Sequence, residues 1–156
     1  MAVWLTSEQQ IDWRAFLSVL SLLPDQFSRD LQAEHGLTLS DYEILVRLSE
    51  ADGRSMRMSE LAEKTLSSRS RLTHQIDRMV ESGLVTRRVC ADDKRGYFAE
   101  MTDAGWEKLV EAAPAHVASV RTHLVDVLSC DEFKLLGDIS KKILDSLDDD
   151  SQSKVL

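Results

Sequence analysis

Between Ser68 and Arg78 the chain collects hydrogen-bonding side chains at helical spacing: Ser68, Arg69, Ser70, Arg71, His74, Gln75 and Arg78. Leu72, Ile76, Met79 and Val80 recur on the other side and Gly83 stops the pattern, so residues 68–82 read as an amphipathic helix. Its polar face is expected to carry Arg71, His74, Gln75 and Arg78. The chemistry open to such a face is recognition of acceptors on a flat, negatively charged surface. An Arg pairs with guanine O6 and N7, a Gln with adenine N6 and N7, and a serine hydroxyl with a phosphate. A second group follows at once. Arg87 and Arg88 lie on one strand of an expected hairpin whose tip is Asp93-Lys94-Arg95. An Arg at a hairpin tip fits a narrow, electronegative minor groove, and Asp93 can accept hydrogen bonds from a neighbouring guanidinium and fix its pose. Without that use, the same residues are a solvated charged surface.

These groups need a scaffold, and the pattern of apolar residues supplies one. A long helix is expected over residues 7 to about 35, capped by Thr6 or Ser7, with Ile11, Phe16, Leu17, Leu20, Leu23, Phe27 and Leu31 in a stripe. Pro24 should kink or interrupt it, and Gly36 ends it. Ser40 and Glu43 read as a capping box for a helix over about 40–51 that buries Ile44, Leu45 and Leu48. A short strand near 54–57 and a short helix from Ser59 carrying Leu61 and Ala62 come next. Thr65, Leu66 and Ser67 then make a tight turn into the helix at 68, the arrangement of a helix-turn-helix. Strands over 84–90 and 96–101 form the hairpin. Thr102 caps a helix to about 128, kinked near Pro114, in which Ala113, Val117, Val120, Leu124 and Val127 make a heptad-like seam. Ser129 and Glu132 start a last helix expected to bury Leu135, Leu136, Ile139, Ile143 and Leu147.

The charge balance looks adverse for a polyanionic partner, at −8 over 156 residues. Its distribution reverses that. Residues 64–95 hold eight basic and four acidic groups, or +4, and the rest of the chain is at −12. A basic face on an acidic body meets phosphate through the face. Other classes find little support. No apolar run approaches the roughly 18 residues that span a bilayer, and the N-terminus has no export pattern, so the chain reads as cytoplasmic. There is no glycine-rich phosphate loop, nucleophile elbow or His-Glu-x-x-His pair, so no enzyme and no cofactor is expected. His116 and His123 stand seven apart, too far for a helical metal clamp, and no metal is expected. Two cysteines make no disulfide framework.

Asp93-Lys94-Arg95-Gly96-Tyr97-Phe98-Ala99-Glu100-Met101-Thr102-Asp103-Ala104-Gly105 resembles the wing signature of the MarR family, Asp-x-Arg and then a strand ending Leu-Thr-x-x-Gly, with Met101 for the usual Leu. Met58 to Glu63 and Ile76 to Val85 resemble its helix-turn-helix. The likeness covers about residues 7–147. It implies a mainly α fold with a small β-hairpin wing. Residues 37–102 would form the winged helix-turn-helix lobe, 1–36 and 103–147 a helical dimerisation region, and 148–156 a frayed acidic tail. It also implies a homodimer on duplex DNA with a palindromic operator, most often as a repressor, though activators occur. Similar proteins are released by a small phenolic or aromatic ligand lodged between the dimer helices and the DNA-binding lobe. Trp13, Arg14, Phe16, His35 and Tyr42 are the candidates to line such a site, dimer core and plain surface being the alternatives. Control by oxidation is a different possibility, at Cys90 on the wing or Cys130 at the start of the last helix, where the helix dipole favours thiolate. So is a winged-helix interaction module that binds only protein.

Overall fold

The computed structural model describes residues 3–90 and 96–152. Helix α1 (Ser7–His35) opens on Thr6, whose hydroxyl accepts from Gln9 N–H at 3.2 Å while the Gln9 side chain accepts from Thr6 N–H at 2.9 Å. The helix runs through Pro24 without interruption. Proline removes one backbone donor, and the turns on either side carry the helix past it. It stops at Gly36, whose φ of +67° puts it in the left-handed region that a C-terminal cap requires.

Helix α2 (Leu39–Ser49) starts earlier than the Ser40/Glu43 box suggests. The working box is Thr38 with Asp41, because Thr38 holds the extended conformation of a cap and its hydroxyl accepts from Asp41 N–H at 3.1 Å. A 3-10 turn (Asp52–Arg54) leads into β1 (Ser55–Arg57), then α3 (Met58–Lys64), α4 (Arg69–Glu81), β2 (Val85–Val89), β3 (Tyr97–Met101) and α5 (Asp103–His123). The strands form one antiparallel sheet in the order β1-β3-β2. The register sets Met56 opposite Ala99, and Val85 opposite Met101. All four are buried on one face. Alternation sends Arg57, Phe98, Arg88 and Glu100 to the other. The core is completed by Leu31, Ile44, Leu45, Leu48, Leu61, Leu72 and Ile76. Each such side chain adds about 1.5–3 kcal/mol through burial.

Gly105 shows why the chain needs the spacing Met101-Thr102-x-x-Gly105. Thr102 caps α5 by accepting from Gly105 N–H at 3.0 Å and donates its own hydroxyl to Gly83 O at 2.7 Å. That draws the first turn of α5 so close to the start of β2 that a Cβ on residue 105 would lie 2.2 Å from Leu84 O.

The chain divides into two compact units, Met1–Val117 and Ala118–Leu156. The second holds the last turns of α5, a 3-10 turn (Val125–Val127) and α6 (Cys130–Gln152). Here α5 ends short of the expected 128, because Leu124 leaves helical geometry and Arg121 reaches forward to Asp126 across the turn. The Ser129/Glu132 box forms as expected, with Glu132 accepting from Ser129 N–H at 2.8 Å. These bonds lower the Glu132 pKa below its usual range. The apolar face of α6 is not buried: Leu135, Leu136, Ile139, Ile143 and Leu147 are 37–59% exposed. The same holds in α1 for Ile11, Phe16, Leu17, Val19, Leu20 and Leu22. No helix among the described residues is long and apolar enough to cross a membrane.

Candidate nucleic-acid interface

The second helix of the pair, α4, is held from beneath by Leu72, Ile76 and Met79, all buried against α2, α3 and the sheet. Val80, assigned to that apolar face by its spacing, is 38% exposed instead. Ser68 caps α4, its hydroxyl accepting from Arg71 N–H at 3.2 Å. With the inner face fixed, Ser68, Arg69, Ser70, Arg71, His74 and Arg78 all stand exposed on the outer one. Gln75 does not join them. It is 5% exposed, and its Nε2 donates to Asp41 Oδ1 at 3.1 Å. A spacing argument misplaces it because Gln75 sits at the border of the two faces, where a partly buried carboxylate decides which way an amide turns. Arg78 lies 3.9 Å from the same oxygen of Asp41.

The turn between α3 and α4 closes with Ser67 N–H on Ala62 O at 2.9 Å and Leu66 N–H on Glu63 O at 3.2 Å. Leu66 occupies the left-handed position of this cap, with φ of +51° and a side chain 91% exposed. Glycine is the usual residue there.

Arg87 ties the wing to α4. Its strand face is the core face, which two residues beyond Val85 looks onto α4. There Nη1 of Arg87 meets Asp77 at 2.8 Å and Nη2 donates to Thr73 O at 3.2 Å. Arg88, on the opposite face, donates from Nε to Glu100 and lays its guanidinium 4.6 Å from the Phe98 ring centroid. Arg57 sits 5.5 Å from the same ring. Between α4 and the wing a cleft of about 440 Å³ is lined by Arg57, Ser59, Arg69, Thr73, Arg87 and Cys90. Arg57 was not among the residues the sequence singled out. It reaches the site through the pairing of β1 with β3, which no local pattern reveals. Asp93, Lys94 and Arg95 lie outside the described residues.

The five residues read as ligand candidates do not converge within one chain. Trp13 and Phe16 pack on each other with ring centroids 6.2 Å apart on the exposed face of α1, beside exposed Arg14. His35 is some twenty residues further along the same helix, roughly 30 Å at 1.5 Å per residue. It stands 3.8 Å from Glu111. Tyr42 belongs to the core, with its ring 4.4 Å from His116, which also meets Phe27 edge-on at 5.8 Å. Burial lowers the His116 pKa and raises that of Tyr42. Nδ1 of His116 and Nε of Arg47 are buried without hydrogen-bond partners among the described residues. Both residues line a cavity of about 290 Å³ together with Leu39, Tyr42, Glu43 and Val46. Cys90 is buried behind the wing, its N–H bonded to Gly96 O at 2.9 Å, and Cys130 is exposed as the first residue of α6.

Residues 35–96 match the family model of the MarR family. The crystal structure of AbsC, a MarR family transcriptional regulator from Streptomyces coelicolor, is 48% identical, with 94% of this chain and 98% of that one covered and a TM-score of 0.87. Sco3205, a MarR family transcriptional regulator from the same organism solved in complex with DNA, is 40% identical over 94% and 92% of the two chains, with a TM-score of 0.89. The transcriptional repressor MprA of Escherichia coli is 28% identical over 143 residues, which are 92% of this chain and 80% of MprA. The sheet order, the exposed basic helix and these likenesses over nearly the whole length agree: the chain belongs to the MarR family, whose members are transcriptional regulators and not enzymes.

Proposed function

We propose that this regulator is a homodimeric repressor that grips duplex DNA with α4 in the major groove and the wing in the adjacent minor groove. The observation that carries the reading is the outer face of α4. Ser68, Arg69, Ser70, Arg71, His74 and Arg78 stand together in solvent on a helix anchored by a buried apolar core. Residues near the start of such a helix reach base edges. Arg88, Asp93, Lys94 and Arg95 would supply the wing contacts, with Arg57 and Arg87 beside them. A relative 40% identical was solved in complex with DNA, which supports the same use here. In this division of labour residues 37–102 form the DNA-binding lobe and 1–36 with 103–147 the dimerisation region. The uncovered faces of α1 and α6 support it, because exposed apolar area costs roughly 25 cal/mol per Å² and a second copy would cover it.

The test is anisotropy with a duplex selected from a random pool. Affinity should fall about 10³- to 10⁵-fold between 50 and 200 mM salt if 6–10 phosphates are contacted. Arg95→Ala should cost on the order of 1–3 kcal/mol. A chain that binds no duplex at low ionic strength, or sediments as a monomer, refutes the reading.

A small aromatic ligand remains the proposed release signal, with its site moved. The cavity at Tyr42, Arg47 and His116 offers an aromatic wall and two unpartnered nitrogens, which suit an aromatic acid. Calorimetric titration with salicylate-like acids tests it, and absence of both heat and operator release counts against it. Oxidation is the second reading. Cys130, exposed at a helix start, favours it over Cys90, which is 2% exposed. Peroxide release that survives in the Cys90→Ser, Cys130→Ser protein excludes it.

A further inference from the structure

One carboxylate joins the start of α2 to the middle of α4, beside a bond that ties α2 to α1. Leu39 N–H donates to Ser28 Oγ at 3.2 Å, which seats α2 on α1. Asp41 Oδ2 accepts from Thr38 N–H at 3.0 Å and from the Thr38 hydroxyl at 2.7 Å. Those two bonds complete a helix cap, and a cap needs no more. Yet Oδ1 of Asp41 is also engaged, 34 positions along the chain, by the buried Nε2 of Gln75 at 3.1 Å, with Arg78 at 3.9 Å. Gln75 and Arg78 are three apart on one helix face, so both reach a single oxygen at only one rotational setting of α4.

The core beneath α4 holds its inner face, and the bonds to Asp41 add a directional constraint to that packing. Apolar contact is non-directional, whereas a hydrogen bond to a shielded carboxylate is directional and costly to break. We propose that Asp41 is a positioning residue for sequence recognition: through Gln75 it fixes the rotation of α4 that turns Arg71 and His74 outward and braces Arg78 at the edge. Selectivity between duplexes depends on it, while affinity for phosphate at large does not. This rests on the DNA-binding reading above.

The decisive measurement compares affinity for a selected duplex with that for a scrambled duplex of the same length. Asp41→Asn leaves one oxygen where two are used, and it should lower this ratio about tenfold, the scale of one lost base contact, with scrambled-duplex affinity little changed. Gln75→Leu should also lower the ratio, and the double variant should fall no further than Asp41→Asn alone, since both break the Asp41–Gln75 bond. Thr38→Ala removes the cap hydroxyl but leaves Asp41 bonded to Gln75. It should lower Tm yet keep the ratio within about twofold. An unchanged ratio in Gln75→Leu, or a Thr38→Ala loss as large as that of Asp41→Asn, overturns the proposal. A wild-type chain that binds duplexes without telling the two apart overturns the DNA-recognition reading beneath it, a result distinct from failure of the variants alone.

Discussion

Replacing Gly105 by alanine separates two physical effects of opposite sign. Gly105 is the third residue of α5, and by helix propensity alone an alanine should gain about 1 kcal/mol. The neighbourhood reverses the sign. The added Cβ would lie 2.2 Å from Leu84 O, 2.9 Å from Met101 Cγ and 3.2 Å from the Leu84 carbonyl carbon. The Met101 side chain can move aside. Leu84 O cannot, because it accepts from Thr102 N–H at 3.1 Å and is part of the backbone that begins β2. Restoring ordinary contact requires about 1 Å of separation between α5 and the sheet. Overpacking of this kind costs typically 1–3 kcal/mol and more against rigid groups, so a net loss of about 2 kcal/mol is expected. At 150–250 residues each 1 kcal/mol shifts Tm by about 2–4 °C, giving a fall of about 4–8 °C. Melts followed by circular dichroism at fixed protein concentration measure it, since Tm of an associating chain depends on concentration. A Tm equal to or above wild type would refute the close approach of α5 to β2, and with it the physical account of the Thr-x-x-Gly spacing.

Three further outcomes follow from single sites. Leu66→Gly relieves a left-handed leucine, and after the entropy glycine adds to the unfolded chain it should raise Tm by about 2–4 °C; an unchanged or lower Tm would mean the turn is not strained. His116 is neutral in the fold because burial depresses its pKa below 6.5, so the unfolded chain binds more protons and stability is lost as pH falls from 6.5 toward the folded value. His116→Gln should therefore gain on wild type between pH 7 and pH 5 in paired chemical denaturation curves, and parallel pH profiles would contradict this. Arg87→Ala removes a half-exposed ion pair and one bond to Thr73 O, worth at most about 1 kcal/mol of stability, yet it frees the wing from α4. Duplex affinity should fall further than the melt shifts, and a loss in the melt alone would deny Arg87 any role in holding the wing.

What the residues disclose is governed by range. Caps written in adjacent residues, such as Thr6 with Gln9 and Ser129 with Glu132, form where their spacing places them. Two boxes only two residues apart need more than spacing, and Thr38 prevails over the expected Ser40 at the start of α2, where Leu39 is tied back to α1. The buried sides of α2 and α4 follow from period, through Ile44, Leu45, Leu48, Leu72 and Ile76. Gln75 fails by period because its partner is 34 residues away. Arg57 escapes notice for the same reason, since it joins the basic cleft only when β1 pairs with β3. Trp13 and His35, grouped by chemical type, stand far apart because a continuous helix separates them. Leu135 and Ile139 are exposed rather than buried as expected, because an apolar stripe at helical spacing does not say what lies over it.

The acidic body and the basic segment 64–95 are then two parts of one device. Acidic residues supply 23 of the 34 charged groups outside residues 64–95, which leaves most of the surface repelled by phosphate. Only the segment at +4 is drawn to it, so the charge pattern orients the lobe before any base is read. Attraction of that kind cannot choose a sequence, since phosphates are alike on every duplex. Choice demands fixed side chains, and here Arg87 is moored to Asp77 and Thr73, Arg88 to Glu100 and Phe98, and Gln75 to Asp41. Arg69 and Arg71 carry no ion pair among the described residues and are left to search. A basic patch of the same charge without the moorings would hold DNA just as strongly in low salt, and would lose the ability to tell one site from the next.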